Sequence, residues 1–274
     1  MISSPDLFLP LVVVALVIAV SGCSSQQLPE AAFGIQTYDL GDMAEPVALP
    51  QCVNTKYGCL ELESVYIAGV VDCELGRLSD AGAALEAQAI AARTYLARYL
   101  SRVGPDATVR TNATFQCWKK VTKARSVQAA LATDGVVMMI DDDTVINANY
   151  VSGTPRLKVD CTPKSPAESG YADYKTWGAV LDGYLADKKA RRKRRFSGIA
   201  WTEVVVTRNE GRIGDAVQPT PMASKGPPNR GALSQYTAVC LAERMGYETM
   251  DILKYFYGDD VRLSRRLADP LETP

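Results

Sequence analysis

The stretch "SDAGAALEAQAIAARTYLARYLSR", residues 79–102, decides how the rest of the chain is read. Leu85, Ala89, Ala92, Leu96 and Leu100 recur at spacings of four, three, four and four, which lays one apolar stripe along a helix. Ser79 or Asp80 is placed to cap its start, and Gly104-Pro105 ends it. Gln88 and Arg93 lie five residues apart, about 140° around such a helix, so they do not share a narrow stripe.

Upstream, "YIAGVVDCELG" (66–76) runs through aliphatic residues and then meets Asp72 and Glu74. Leu60, Leu62, Val65 and Ile67 predict a strand that turns into helix, so the folded domain is expected to begin near residue 58. Residues 24–51 lack sustained periodicity and are rich in polar residues, Gly and Pro, and residues 23–57 are read as a tether. Residues 7–20, "LFLPLVVVALVIAV", have the length of a signal-peptide apolar region. They lead through "VSGC" to Cys23, which resembles a bacterial lipoprotein processing site. That resemblance implies removal of residues 1–22, lipidation of Cys23, and an exported protein anchored to a bacterial membrane. The first six residues carry Asp6 and no Lys or Arg, unlike the usual positive start of such signals.

Downstream, "GVVMMIDDDTVINANYVSG" (135–153) predicts a β-hairpin: Val136 to Ile140, a turn at Asp141 to Asp143, then Thr144 to Tyr150. The three adjacent carboxylates lack calcium-loop spacing and are read as a solvated turn. Residues 188–195, "KKARRKRR", hold seven basic residues in eight; without them the chain has 23 basic against 31 acidic, a balance of −8. Such a block is a solvated face or a contact for an anionic polymer or lipid. "WTEVVVTRNEGRIG" (201–214) predicts another strand with a turn at Asn209 to Gly211, and residues 217–231 a Pro/Gly-rich loop. Two helices, "SQYTAVCLAERMG" and "YETMDILKYFYG", close the pattern, each stopped by Gly. Strands and helices mix without regular alternation. The expected fold is a single mixed α+β domain over 58–265, with antiparallel strands, several helices and a tail at 266–274.

The chain of 274 residues carries a net charge of −1 and no histidine. Nothing in this balance calls for nucleic acid. The imidazole base, the Ser-His triad and His-ligated zinc are excluded, so acid–base chemistry must come from carboxylates, Lys, Tyr or Cys with shifted pKa. Setting Cys23 aside leaves six cysteines, and export makes disulfides the expectation. Cys52 and Cys59 can close a small loop, and Cys117 with Cys161 is a second expected pair. No CxxC pair is present to suggest a thiolate metal site, and no metal or cofactor is expected.

Three stretches together carry a resemblance: "VYIAGVVDCELG", "LEAQAIAARTYLARYL" and "GALSQYTAVCLAERMGYETMDILKYFYGDDVRL". They resemble the stage II sporulation protein D (SpoIID) domain, with its "VAGVVAxEMP", "LKAQAVAARTYA", "GHGxGMSQ" and "ILxHYYxG" segments. "TFQCW" and the 129–150 stretch fit more loosely, and the resemblance covers about residues 60–262. It implies action on peptidoglycan, with Glu74 aligned to the catalytic acid of a lytic transglycosylase. That reaction cleaves between N-acetylmuramic acid and N-acetylglucosamine and leaves a 1,6-anhydro-muramyl end. Gln88, Arg93 and Thr94 are candidates to orient sugar or acetamido groups, or else helix-surface hydrogen bonders. Ser234 and Gln235 are candidates to meet the glycan or to cap a helix, while Tyr95, Tyr255, Phe256 and Tyr257 are expected in the core.

The sequence also departs from the family. "PPNRGALSQ" keeps Gly231, Ser234 and Gln235 but has no His, "ELG" replaces "EMP", and "VSGTPRLKVDC" stands where some relatives carry zinc-binding residues. The alternative expectation is therefore a non-catalytic peptidoglycan-binding lipoprotein that recruits or enhances a separate cell-wall hydrolase.

Overall fold

A computed structural model of the protein describes residues 49–141, 144–186 and 194–265, with 194–197 by backbone alone. It opens with two strands, β1 (Cys52–Thr55) and β2 (Gly58–Glu61), paired antiparallel and bridged by a Cys52–Cys59 disulfide. Leu49 and Val53 are already buried, so the fold takes in residues upstream of position 58. A π-helical segment, Leu62–Ile67, then leads into helix α1 (Ala68–Glu74). The chain turns helical at Leu62 instead of staying extended to Ile67, as the aliphatic spacing predicts. The reason is local: the Glu61 carboxylate accepts hydrogen bonds from the N–H groups of Glu63 and Ser64 and so caps the segment.

The alanine-rich stretch forms helix α2 (Gly82–Val103), starting after Ala81 without a side-chain cap and stopping at Gly104. It is buried on almost every side. Leu85, Ala89, Ala92, Leu96 and Leu100 face one core with Tyr66, Val70 and Val71, while Ala87, Ile90 and Ala91 face a second with Met138, Leu233 and Phe256. The single predicted stripe is thus one of two apolar faces. Alanine lets other elements approach the helix closely on both sides, yet registers only weakly as a hydrophobic residue.

Helix α3 (Ala124–Ala132) and strand β3 (Val136–Ile140) follow. The remaining elements are β4 (Thr144–Val145), β5 (Asn149–Val151), α4 (Trp177–Ala186), α5 (Arg194–Val205), β6 (Ala232–Ser234), α6 (Gln235–Cys240), α7 (Thr249–Tyr257) and β7 (Arg262–Arg265). Strand β3 sits between β4 and β7, antiparallel to both, and β5 pairs in parallel with β6. The architecture is α+β, as expected.

Two local expectations are corrected. The predicted hairpin holds only over its first rungs, with Met139 opposite Val145; residues 149–151 leave it and pair with β6 instead. Residues 201–205 are helical, as the end of α5, which packs against α4. That packing overrides the β-preference of Val204 and Val205.

The disulfides also differ from expectation. Cys52–Cys59 forms, but Cys117 joins Cys73 and Cys161 joins Cys240, with Cα separations of 5.8 and 5.6 Å. The fold carries the 115–119 segment past the end of α1 and sets Cys161 beside α6, which leaves no Cys117–Cys161 pair. Cys23, the apolar run 7–20 and the Asp142–Asp143 pair lie outside the described residues, as does the basic run apart from the backbone of residues 194 and 195. Among the described residues no helix is long and apolar enough to cross a membrane.

Candidate active site

Glu74 is the last residue of α1, following the fully buried Val70 and Val71 and preceding the fully buried Leu75. Its carboxylate therefore emerges at the rim of the first core. Burial raises its pKa above the ordinary glutamate value, against two hydrogen bonds that favour the ionised form. One comes from the side chain of Gln235, whose Nε2 donates to Oε2 at 2.9 Å. The other comes from the backbone N–H of Cys117, which donates to Oε1 at 2.9 Å.

The position of that N–H is set by the segment around it. Gly69 lets the segment lie against α1, because a Cβ there would overlap the Trp118 ring and the Lys119 carbonyl. The Trp118 indole donates to the Val65 carbonyl at 3.0 Å, and the Cys73–Cys117 disulfide ties the segment to the residue preceding Glu74.

Gln235 reaches Glu74 from the opposite end of the sequence. It opens α6, where Ser234 is the N-cap and accepts from the Thr237 N–H at 3.2 Å. Gly231, at φ 126°, allows the preceding turn to press against Thr207 and the Phe256 carbonyl, a place that a side chain cannot share. Beside this turn the carboxylate of Glu203 accepts from the Thr154 N–H at 2.7 Å; burial raises its pKa, although that bond and Arg208 favour the charge.

Glu74 and Gln235 line a cavity of about 350 Å³ together with Tyr95, Thr114, Phe115, Tyr150, Trp201 and Met222. Glu74 is the one carboxylate in the lining among the described residues. The Tyr150 hydroxyl is buried without a hydrogen-bond partner among the described residues. Its pKa is pushed up by burial and then by the neighbouring charge of Glu74, so the phenol stays protonated.

The other candidates divide between scaffold and site. Arg93 is fully buried and grips both carboxylate oxygens of Glu63, at 2.8 and 2.5 Å, and also donates to the carbonyls of Val136 and Ala130. Thr94 donates to the Ile90 carbonyl and accepts from the Met138 N–H, tying β3 to α2. Gln88 is fully buried, and neither polar atom of its amide has a hydrogen-bond partner among the described residues. These three, with Ser234, are not among the cavity lining. Tyr255, Phe256 and Tyr257 are buried, whereas Tyr95 lines the cavity.

Asp72, the neighbouring carboxylate, is fully buried and committed elsewhere. Burial opposes its ionisation, but two bonds from Thr122 and the Lys119 ammonium at 3.3 Å hold its pKa below the usual range. Zinc does not fit this site. The chain has no His, and Cys161, in the segment that stands in for the zinc-bearing one, is consumed by its bond to Cys240.

Tyr150, Trp201 and Met222 were not legible as site residues. They reach the cavity from a strand, a helix and a loop far apart in sequence, and no local spacing marks them.

Residues 55–140 match the family model described as SpoIID, Stage II sporulation protein. That family is associated with cell-wall peptidoglycan function. The matched segment contains Glu74 and Cys117, while Gln235 and α5 lie beyond it. No curated protein matches the chain.

Proposed function

We propose that this domain cleaves peptidoglycan glycan strands as a lytic transglycosylase, with Glu74 acting first as acid and then as base. The observation that carries the reading is a carboxyl group, its pKa raised by burial, that among the described residues stands alone on the wall of a cavity of about 350 Å³. A hydrolytic glycosidase in the usual form needs a second carboxylate, either to activate water or to attack the sugar. A lytic transglycosylase does not, because the 6-hydroxyl of N-acetylmuramic acid is the nucleophile.

In this reaction protonated Glu74 gives its proton to the glycosidic oxygen as the bond from C1 of N-acetylmuramic acid to that oxygen breaks. Positive charge develops at C1 and the ring oxygen. The Glu74 carboxylate then takes the proton of the 6-hydroxyl as O6 bonds to C1. The anhydro ring closes, Glu74 is protonated again, and no water is consumed. The donors on Glu74 suit its changing charge: the Cys117 N–H and the Gln235 amide stabilise the carboxylate in mid-reaction, while burial favours the acid before and after it.

The test uses purified protein, wild type and Glu74→Gln, incubated with intact and with peptide-stripped glycan strands. Mass spectrometry is expected to find 1,6-anhydro-muramyl ends with wild type, at a rate that falls by about 10² to 10⁴ in the variant. Ordinary reducing ends, or equal products from both proteins, refute the mechanism.

A second reading is a non-catalytic peptidoglycan-binding module that recruits or enhances a separate hydrolase. It is favoured by the fact that both oxygens of Glu74 are engaged by internal donors, as in a purely structural cap. Glycan binding without cleavage by either protein selects it.

The same reading includes export and anchoring. The apolar run 7–20, followed by Ser21, Gly22 and Cys23, supports lipidation of Cys23, and the residues between Cys23 and the first strand serve as the tether that holds the domain near the glycan mesh. Cys23→Ser is expected to abolish membrane fractionation or leave the unprocessed precursor; unchanged fractionation and mass refute it.

A further inference from the structure

Trp201 and Met222 are among the large hydrophobic side chains left exposed on the described surface, at 46% and 41%, and both line the cavity that holds Glu74. They come from separate elements, Trp201 from α5 and Met222 from the Pro/Gly-rich loop that follows it. Neither lies in the segment that matches the family model. Two large apolar groups kept partly in water in the same cavity lining leave apolar surface for a ligand to cover, and an exposed apolar surface inside a cleft marks a binding surface.

We infer that Trp201, seconded by Met222, is a saccharide-stacking platform that binds the apolar face of a pyranose ring of the glycan strand. This rests on the proposed action on glycan and names the residues that hold the sugar. The cavity lining combines the hydrogen-bonded carboxyl of Glu74 and amide of Gln235 with the indole of Trp201 and the thioether of Met222. A pyranose ring has the matching duality, a hydroxyl and acetamido edge around a face of C–H groups. An indole offers a large, rigid apolar face at low conformational cost, since only two side-chain torsions must be held. Glu74 is the only charged side chain in the lining among the described residues, which suits an uncharged sugar ring better than a charged polymer backbone. The role of Trp201 is positioning. It sets how long and in what orientation the sugar stays against Glu74, and takes no part in proton transfer.

The experiment measures binding of peptide-stripped glycan fragments by calorimetry to Glu74→Gln protein, so that turnover does not intervene. Tryptophan emission is followed in the same titration. Glycan is expected to shift the emission to the blue as Trp201 is covered. Adding Trp201→Ala is expected to weaken binding about tenfold or more, and Trp201→Phe to keep it within about threefold. In the otherwise wild-type protein, Trp201→Ala is expected to raise KM by a larger factor than it lowers kcat. Unchanged affinity in the Ala variant overturns the platform while leaving the transglycosylase reading intact. So does an emission spectrum that saturating glycan leaves unmoved, a result that needs no substitution at Trp201. If the Glu74→Gln protein binds no glycan at all, the platform and the proposed function fall together.

Discussion

Glu74 and Gln235, 161 residues apart in the chain, share a hydrogen bond of 2.9 Å in the lining of one cavity. The carboxylate ends α1 and the amide opens α6, so the contact exists only once both ends of the domain have packed onto α2. The Gln235 amide favours the ionised carboxylate, whereas burial favours the acid, and the acid has the larger pull.

This balance gives a pH-dependent prediction for Gln235→Ala. Loss of a donor to the ionised form raises the pKa of Glu74 further. The limb of the pH–kcat profile where activity falls with rising pH, as the acid ionises, is expected to move upward. The maximal rate is expected to fall about tenfold, because the mid-reaction carboxylate has lost a partner. A limb that stays in place, measured on glycan strands from acid to alkaline pH, removes Gln235 from the mechanism.

Glu74 also affects stability, and the sign follows from the direction of its shift. A group whose folded pKa is raised contributes stability below its unfolded pKa and loses it as pH rises through the folded value. Wild type and Glu74→Gln are therefore expected to have similar urea midpoints in acid, where both side chains are neutral. The variant becomes the more stable as pH rises through the ordinary glutamate range and on through the raised folded value. A variant less stable at every pH would mean that the carboxylate is a net structural asset.

The Cys73–Cys117 disulfide holds the backbone donor of Glu74 beside the residue before it. Replacing both cysteines by serine is expected to cost on the order of 2 to 4 kcal/mol of stability and also to lower turnover. Removing Cys52–Cys59, which bridges β1 and β2 away from the cavity lining, is expected to spare kcat. Equal loss of kcat in the two double variants, assayed well below their melting points, contradicts a local role for the 115–119 segment.

Two buried polar residues of α2 are predicted to behave in opposite ways. Gln88→Met replaces an amide without a hydrogen-bond partner among the described residues, and is expected to stabilise the fold by about 1 kcal/mol while leaving glycan cleavage intact. Arg93→Met strands the Glu63 carboxylate, and is expected to destabilise by about 3 to 5 kcal/mol. Chemical denaturation reads both. Loss of activity in a fully folded Gln88→Met protein would return Gln88 to the substrate site.

By itself the sequence determined the long helix, the two closing helices and the α+β class, and through its family resemblance it singled out Glu74 as the candidate acid. These follow from short-range rules: the spacing of apolar residues, glycine stops, and a motif within one contiguous stretch. It also placed Arg93 and Thr94 on the right helix, but could not tell that α2 is walled in on both sides, because that depends on what packs against its alanines. Spacing read residues 201–205 as a strand, and only their packing against α4 makes them helical and carries Trp201 to the cavity. The partners of Cys117 and Cys161, and the meeting of Glu74 with Gln235, likewise had to wait for the fold. Each is a contact between segments whose separation leaves no periodic trace in the chain, and whose geometry comes from the two cores that form on either side of α2.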